Sequence, residues 1–262
     1  MNSLAHLEPI TLDELILEAA LLTRVDRKYV VPRSALPTLL AAVPEDTRVL
    51  EIDGSRAFGY ASMYFDTPDL LSFRMAALGR RRRFKVRTRS YLDTGGNFLE
   101  IKTKGARGTT QKDRGEYDGD PSTLTRDALV DIADALAGVG VEPLVAHDLD
   151  ATLASRYRRA TLLSTDGARA TIDVDLHWDD ATGTTLALPD MAIIETKSGA
   201  RAGVVDRLLW SFGVRPVSVS KYATGLAALR PELPRNRWAR LLSGPFCSPR
   251  SSAPAEVASC AA

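Results

Sequence analysis

The ten residues Arg80-Arg81-Arg82-Arg83-Phe84-Lys85-Val86-Arg87-Thr88-Arg89 constrain the fold of this chain more than any other feature. In an extended strand, side chains alternate between faces. Arg81, Arg83, Lys85, Arg87 and Arg89 therefore share one side, and Phe84, Val86 and Thr88 share the other. Such a strand buries its apolar side and presents its cations either to bulk water or to a charged cavity. A solvated outer face or a nucleic-acid patch would satisfy this segment alone.

Other segments repeat the alternation. Arg24 to Val31 puts Arg24, Asp26 and Lys28 on one face, and Leu99 to Lys104 aligns Glu100, Lys102 and Lys104. Arg169 to Asp175 aligns Arg169, Thr171, Asp173 and Asp175, and Met191 to Lys197 aligns Glu195 with Lys197. Together these strands predict a sheet that wraps a charged cavity and packs its apolar side beneath helices. Further strands are expected at Tyr60 to Asp66 and, with Tyr157, Arg158 and Arg159, at Ser155 to Leu163. Asp93-Thr94-Gly95-Gly96-Asn97 is a hairpin turn signal. Gly105 to Gly115 reads as a loop or bent strand carrying Arg107, Lys112 and Arg114.

Helices are expected from the capping-box spacing Thr11-Leu12-Asp13-Glu14 through Leu22, and at Ser34 to Val43, with Pro37 in the first turn. Others are expected at Leu70 to Leu78, Ser122 to Leu136 and Gly203 to Phe212, the last preceding Ser218 to Tyr222. Asp179-Asp180 reads as a turn. The layout is α+β, with antiparallel strands and intervening helices. Residues 1–230 read as one domain and residues 231–262 as a C-terminal tail whose end is expected to be disordered.

Lysine and arginine number 34 against 33 aspartate and glutamate, so overall charge gives no reason to expect a nucleic-acid partner. The basic character is local, because Leu70 to Leu92 contains no acidic residue. Cys247 and Cys260 form neither a disulfide framework nor a metal cluster, which favours a cytoplasmic setting. His6, His147 and His177 have no ligand spacing. No signal peptide or apolar span of the roughly 20 residues needed to cross a bilayer is visible, so a soluble protein is expected.

Arginine and lysine neutralise phosphate oxygens. Carboxylates set among them, such as Asp26, Glu100 and Glu195, suit a hard divalent cation that bridges to phosphate. The combination points to phosphoryl transfer driven by positioning and charge stabilisation.

Eight short segments resemble, in order, the VTC domain, a polyphosphate-polymerase domain of the triphosphate tunnel metalloenzyme, or CYTH-like, superfamily. They are Asp26-Arg27-Lys28-Tyr29, Tyr64-Phe65-Asp66-Thr67, Lys85 to Tyr91, Leu99 to Lys104, Tyr157-Arg158-Arg159-Ala160, Arg169 to Asp173, Ile194-Glu195-Thr196-Lys197 and Ser220-Lys221-Tyr222. The resemblance implies an antiparallel β-barrel, a tunnel with a basic interior and helices packed outside. It implies a metal-dependent phosphotransferase moving the γ-phosphate of ATP, or of another nucleoside triphosphate, onto inorganic polyphosphate. By position, Arg87, Arg89, Lys102, Lys197 and Lys221 would carry catalysis, with Arg159, Arg169, Lys28 and Lys112 as further phosphate contacts. Tyr157 and Ser220 would add hydroxyl hydrogen bonds, and Lys85 and Lys104 join as cations on the same strand faces. Glu195 would hold Mn²⁺ or Mg²⁺.

Two positions depart from the family pattern. Asp26 stands where relatives usually carry Glu, and Arg24 replaces the first acid of the Glu-x-Glu-x-Lys signature of the hydrolytic and cyclase branches. The alternatives are a triphosphate or polyphosphate hydrolase in the same tunnel and a non-catalytic polyphosphate or nucleotide sensor. Related eukaryotic domains are attached to membrane parts, so the resemblance allows a separate membrane-protein partner.

Overall fold

The alternating strands form a strongly curled antiparallel sheet. A computed structural model of the chain describes residues 4–18, 25–106, 108–247 and 251–252. In chain order its elements are β1 (Glu8–Ile10), α1 (Leu12–Glu18), β2 (Val25–Pro32), α2 (Leu36–Ala41), β3 (Arg48–Leu50), β4 (Phe58–Asp66) and α3 (Leu71–Ala77). Next come β5 (Arg83–Tyr91), β6 (Asn97–Lys104), β7 (Thr110–Glu116), α4 (Arg126–Ala137), β8 (Asp150–Leu163) and β9 (Arg169–Asp180). The chain continues through β10 (Thr184–Leu188), β11 (Met191–Ser198), α5 (Val204–Ser211), α6 (Lys221–Leu229), α7 (Ala239–Leu242) and β12 (Ser251–Ser252).

The main wall runs β2-β11-β9-β8-β4-β5-β6-β7, each neighbouring pair antiparallel. Among the described residues no backbone ladder joins β2 to β7, so the wall curls without closing by main-chain hydrogen bonds. The long strands β8 and β9 extend past their neighbours and also pair with β3 and β10.

Helices cover the convex face. Phe84, Val86, Leu99 and Ile101 of β5 and β6 pack under Ile132 and Leu136 of α4. Tyr29, Val31, Ile172, Ala192 and Ile194 pack under Leu36, Leu39 and Leu40 of α2 and Val205 and Leu209 of α5. Between α5 and the strands, buried Asp206 accepts hydrogen bonds from the Tyr29 hydroxyl at 2.7 Å, the Ser198 hydroxyl at 3.2 Å and the Gly203 amide at 2.9 Å.

One helix takes the opposite side. α6 lies on the concave face, where Tyr222 stacks on Tyr64 with ring centroids 5.2 Å apart. There Trp178 Nε1 donates to the Lys221 carbonyl at 2.7 Å. Residues Tyr222 to Leu229 are all buried, which follows from their all-round small and apolar character. Asp66, at the end of β4, ties the seat together. Its carboxylate accepts from the Ser72 and Phe73 amides of α3, each at 2.8 Å, and from the Tyr222 hydroxyl. Trp238, Leu241 and Phe246, beyond Pro231, are buried in the same cluster as α6.

Several boundaries differ from the sequence expectation. Arg80, Arg81 and Arg82 precede β5 rather than extending it, because α3 ends at Ala77 and the Arg80 amide still bonds the Met75 carbonyl at 2.9 Å. Arg81 is thus not part of the basic strand face. α4 starts at Arg126, capped by the Thr125 hydroxyl, while Ser122 is held in a turn by Asp120. Within the stretch read as a loop or bent strand, residues Thr110–Glu116 form the strand β7. Asp175 leaves the row of Asp173: it adopts φ 54° at a bulge where the pairing of β8 with β9 shifts, and it pairs with Arg33.

The Thr11–Glu14 capping box forms as read, but residues 19–22 of the expected first helix lie outside the described residues. So do Arg24, Arg107, Cys260 and the expected disordered end. No helix among the described residues is long and apolar enough to cross a membrane.

Gly225 permits the close approach of α6, since a Cβ there would lie 2.6 Å from Trp178 Nε1. Gly225→Val is expected to cost roughly 1–3 kcal/mol through overpacking, and chemical denaturation checks this. An unchanged midpoint would mean that α6 does not seat on Trp178.

Candidate active site

Cross-strand register decides which side chains meet inside the curl. Lys85 of β5, Lys102 of β6 and Lys112 of β7 are aligned in one row, and Tyr64, Arg87, Glu100 and Arg114 in the next. On the opposite wall, Lys28 of β2, Glu195 of β11 and Thr171 of β9 form a row flanked by one containing Asp26, Lys197 and Arg169. Arg159 of β8 stands opposite Asp173 of β9. The curl brings the walls within electrostatic reach, since Lys85 and Lys102 of one wall feel Lys28 and Glu195 of the other. α6 contributes Ser220 as its N-cap and Lys221 as its first residue, and Lys85 Nζ donates to Ser220 Oγ at 3.0 Å.

The site residues expected from sequence therefore share one interior, apart from Lys104, which stands at the end of β6 in a side cavity described below. Lys112, expected in a loop, reaches Glu100 at 3.1 Å from β7. The sequence reading did not single out Tyr60, Ser62 and Tyr64, although Tyr60-Ala61-Ser62-Met63-Tyr64 alternates in the same way. Arg89 and Arg159 lie over the Tyr60 ring at 5.7 and 5.3 Å, Arg87 lies over Tyr64 at 5.8 Å, and Lys221 lies over Tyr157 at 4.4 Å. These ring faces partly solvate cations that have few carboxylates to share.

Three interior carboxylates differ in what they have left to offer. Glu100 accepts from Arg87 Nε at 2.7 Å and also faces Arg89 and Lys112 at 3.6 and 3.1 Å. Asp173 accepts from Arg159 at 2.6 and 2.8 Å and from Lys221. Burial alone would raise both acids, and these cations hold both below the ordinary carboxylate range. The Glu195 carboxylate makes no hydrogen bond among the described residues; its nearest cations, Lys28 and Lys197, stand at 3.8 and 3.9 Å. Burial opposes its charge too, but Lys28, Lys197, Arg159 and Lys221 keep it ionised. It is a charged carboxylate with open lone pairs.

Among the described residues, no cluster of three or more histidine, cysteine, aspartate or glutamate side chains is built to cage a metal. Glu195 alone fits a hard divalent cation that takes its other ligands from phosphate oxygens and water, the usual mode for Mg²⁺. Open hydrogen-bonding capacity also lies along the floor. The Ser62, Ser155, Tyr157 and Thr171 hydroxyls and Arg89 Nε are buried without a hydrogen-bond partner among the described residues. Buried polar groups of this kind call for a ligand or water.

The family model for the VTC domain matches residues 23–230. The chain belongs to the VTC domain family. No curated protein gives a significant sequence match. Solved structures resembling this fold include a candidate adenylate cyclase from Bacillus halodurans, 14% identical, covering 78% of this chain and 96% of that one with a TM-score of 0.49. Another is the candidate adenylyl cyclase HpAC1 of Hippeastrum, described as having a dominant triphosphatase activity. It is 16% identical, with 78% of this chain and 96% of that chain covered and a TM-score of 0.46. The PH1819 protein of Pyrococcus horikoshii is 14% identical over 79% of this chain and 98% of that one, with a TM-score of 0.44.

In this VTC domain Lys85 bears the conflict among like charges most clearly. Burial, then repulsion from Arg87, Lys102 and Lys28, only partly offset by Glu195, pushes it down to about 7. The unfolded chain keeps that lysine protonated up to about 10.4. Between these values the unfolded state binds more protons, so the ligand-free domain should gain stability as pH rises from 7 to 10. An anion beside Lys85 should restore its proton. Calorimetry of tripolyphosphate binding at pH 8, in buffers of different ionisation enthalpy, should show net proton uptake. Zero uptake would remove Lys85 from the contact.

Proposed function

We propose that this VTC domain is a divalent-metal-dependent polyphosphate polymerase that transfers the γ-phosphate of ATP to the end of a polyphosphate chain. The observation carrying the reading is Glu195, an ionised carboxylate with open lone pairs inside a wall where cations otherwise dominate. Such an interior is costly when empty and favourable around a polyanion.

In the proposed reaction a terminal oxygen of the acceptor chain bonds to the γ-phosphorus of ATP. The bond from that phosphorus to the bridging oxygen breaks, and ADP carries away the electron pair. The acceptor oxygen is already anionic at neutral pH, so no protein nucleophile or general base is needed. Arg87, Arg89, Lys102, Lys197 and Lys221 hold the reacting phosphates in line and spread the charge on their oxygens. Lys28, Lys85, Lys112, Arg159 and Arg169 bind the flanking phosphates, and the Tyr157 and Ser220 hydroxyls donate to phosphate oxygens. Glu195 holds the Mn²⁺ or Mg²⁺ ion, which supplies Lewis-acid stabilisation of the transferring phosphoryl group. Placement of these groups on strands, and of Ser220 and Lys221 at the start of the buried helix α6, supplies the rigidity that phosphoryl transfer requires.

Incubation of the protein with ATP and Mn²⁺ should give a ladder of long phosphate chains on a gel, and Glu195→Gln should abolish the ladder while retaining tripolyphosphate binding. Release of free phosphate without a ladder would make the protein a hydrolase, and binding without turnover a sensor. Full activity of Glu195→Gln would overturn the metal assignment.

Lys221→Ala should weaken tripolyphosphate binding by about 10- to 100-fold, the worth of one charged hydrogen bond. Its folded stability should hold, because Arg159 still neutralises Asp173. Titration calorimetry beside thermal melting checks both, and unchanged affinity would place the phosphates elsewhere.

A further inference from the structure

The cations of the interior are not equally neutralised. Arg87, Arg89 and Lys112 share Glu100, Arg159 and Lys221 share Asp173, and Lys28 and Lys197 flank Glu195. A cavity of about 220 Å³ where β5 and β6 meet the segment after α6 is different. Arg83, Lys85, Lys102, Lys104 and Arg237 line it, no carboxylate does, and none of these five forms an ion pair of 4 Å or less among the described residues.

Their few contacts are weak substitutes. Arg83 donates to the Arg80 carbonyl at 2.9 Å and Arg237 to the Ser218 hydroxyl at 3.3 Å. Burial and the facing Arg237 both work against the charge of Arg83. The cavity is continuous with the tunnel, since Lys85, Lys102 and the α6 cap Ser220 line it as well. Arg237 lies beyond residue 230, past the end of the family match, so this wall is added by the C-terminal segment.

We propose that this vestibule is a holding site for inorganic polyphosphate, gripping the part of a long chain that extends past the phosphates bound inside the tunnel. The inference rests on the tunnel binding phosphate chains, as set out above. A chain of closely spaced anions matches unpaired cations that continue outward from the lumen. A single-stranded nucleic acid matches less well, because the aromatic rings lining the vestibule, Phe84 and Trp238, are buried in the core and offer no open face for stacking.

The test compares the full-length protein with a Lys104→Ala/Arg237→Ala double variant and with Arg126→Ala, which removes an exposed cation from α4. Tripolyphosphate and long-chain polyphosphate are titrated into each. The double variant should lose about tenfold in affinity for the long chain, near 1.4 kcal/mol, with tripolyphosphate affinity and melting temperature kept. Arg126→Ala should change neither. An unchanged long-chain affinity, an equal loss for both probes, or the same loss in Arg126→Ala would overturn the vestibule. An oligoadenylate bound as tightly as polyphosphate would overturn its assignment to polyphosphate. A wild-type protein that binds no tripolyphosphate would instead remove the functional reading itself, and the vestibule with it.

Discussion

Like charges held together under low-dielectric cover dominate the energetics of this domain. Lys85, Lys102 and Lys112 occupy one register row across three strands, a placement that opposes folding when no counterion is present. The rest of the fold can be read as the structure that tolerates this row. Apolar faces under α2, α4 and α5 hold the sheet from outside. Inside, Glu100 and Asp173 neutralise some cations and tyrosine rings cover others. What remains unneutralised is available to a ligand. Binding affinity and the instability of the empty state are thus two expressions of one charge distribution.

The carboxylates divide the interior into regions with different duties. Glu100 and Asp173 are saturated by arginine and lysine and fix the geometry of those side chains. Glu195 faces two lysines at distances too long for hydrogen bonds, so its oxygens stay available. The distinction depends on reach. Arg87 and Arg159 are forks placed directly across from their acids and bonded to them, whereas Lys28, also across from its acid, and Lys197 stop at 3.8 and 3.9 Å from Glu195. A variant that brought an arginine to bond Glu195 would fill the site that the proposed chemistry needs.

Period-two alternation made the wall legible in sequence. Each of β5, β6, β9 and β11 shows it over at least four residues, and with both faces specified a one-residue slip would bury the wrong set. Tyr60, Ser62 and Tyr64 follow the same rule within the strand expected at Tyr60 to Asp66, but a row without charge carries no ligand signal. Asp175 could not be placed correctly, since the bulge that turns it toward Arg33 leaves no composition signal. α6 at Lys221–Leu229 is absent from the sequence expectation altogether, and so is its place on the concave side. Its residues are apolar on every side, and periodicity says how much of a helix is buried but not against which face.

The topology also bears on how the chain is made. Among the described residues β2 has one partner, β11, whose residues are synthesised more than 150 positions later, as in the pair Tyr29↔Ile194. β11 in turn bridges β2 to β9, so an early segment remains an unpaired edge until that late strand emerges. Such non-local pairing slows folding and leaves edges exposed in the meantime. During translation β4 to β7, and β8 with β9, can form as local hairpins, with β8 reaching back past α4 to pair with β4, but the basic lumen gains its second wall only when Met191–Ser198 arrives. α6 and the segment carrying Trp238, Leu241 and Phe246 follow, on a face already built. The row of Lys85, Lys102 and Lys112 can thus form early while its face is still open to water, and it loses that water only near the end, when enough apolar surface is buried to withstand the repulsion.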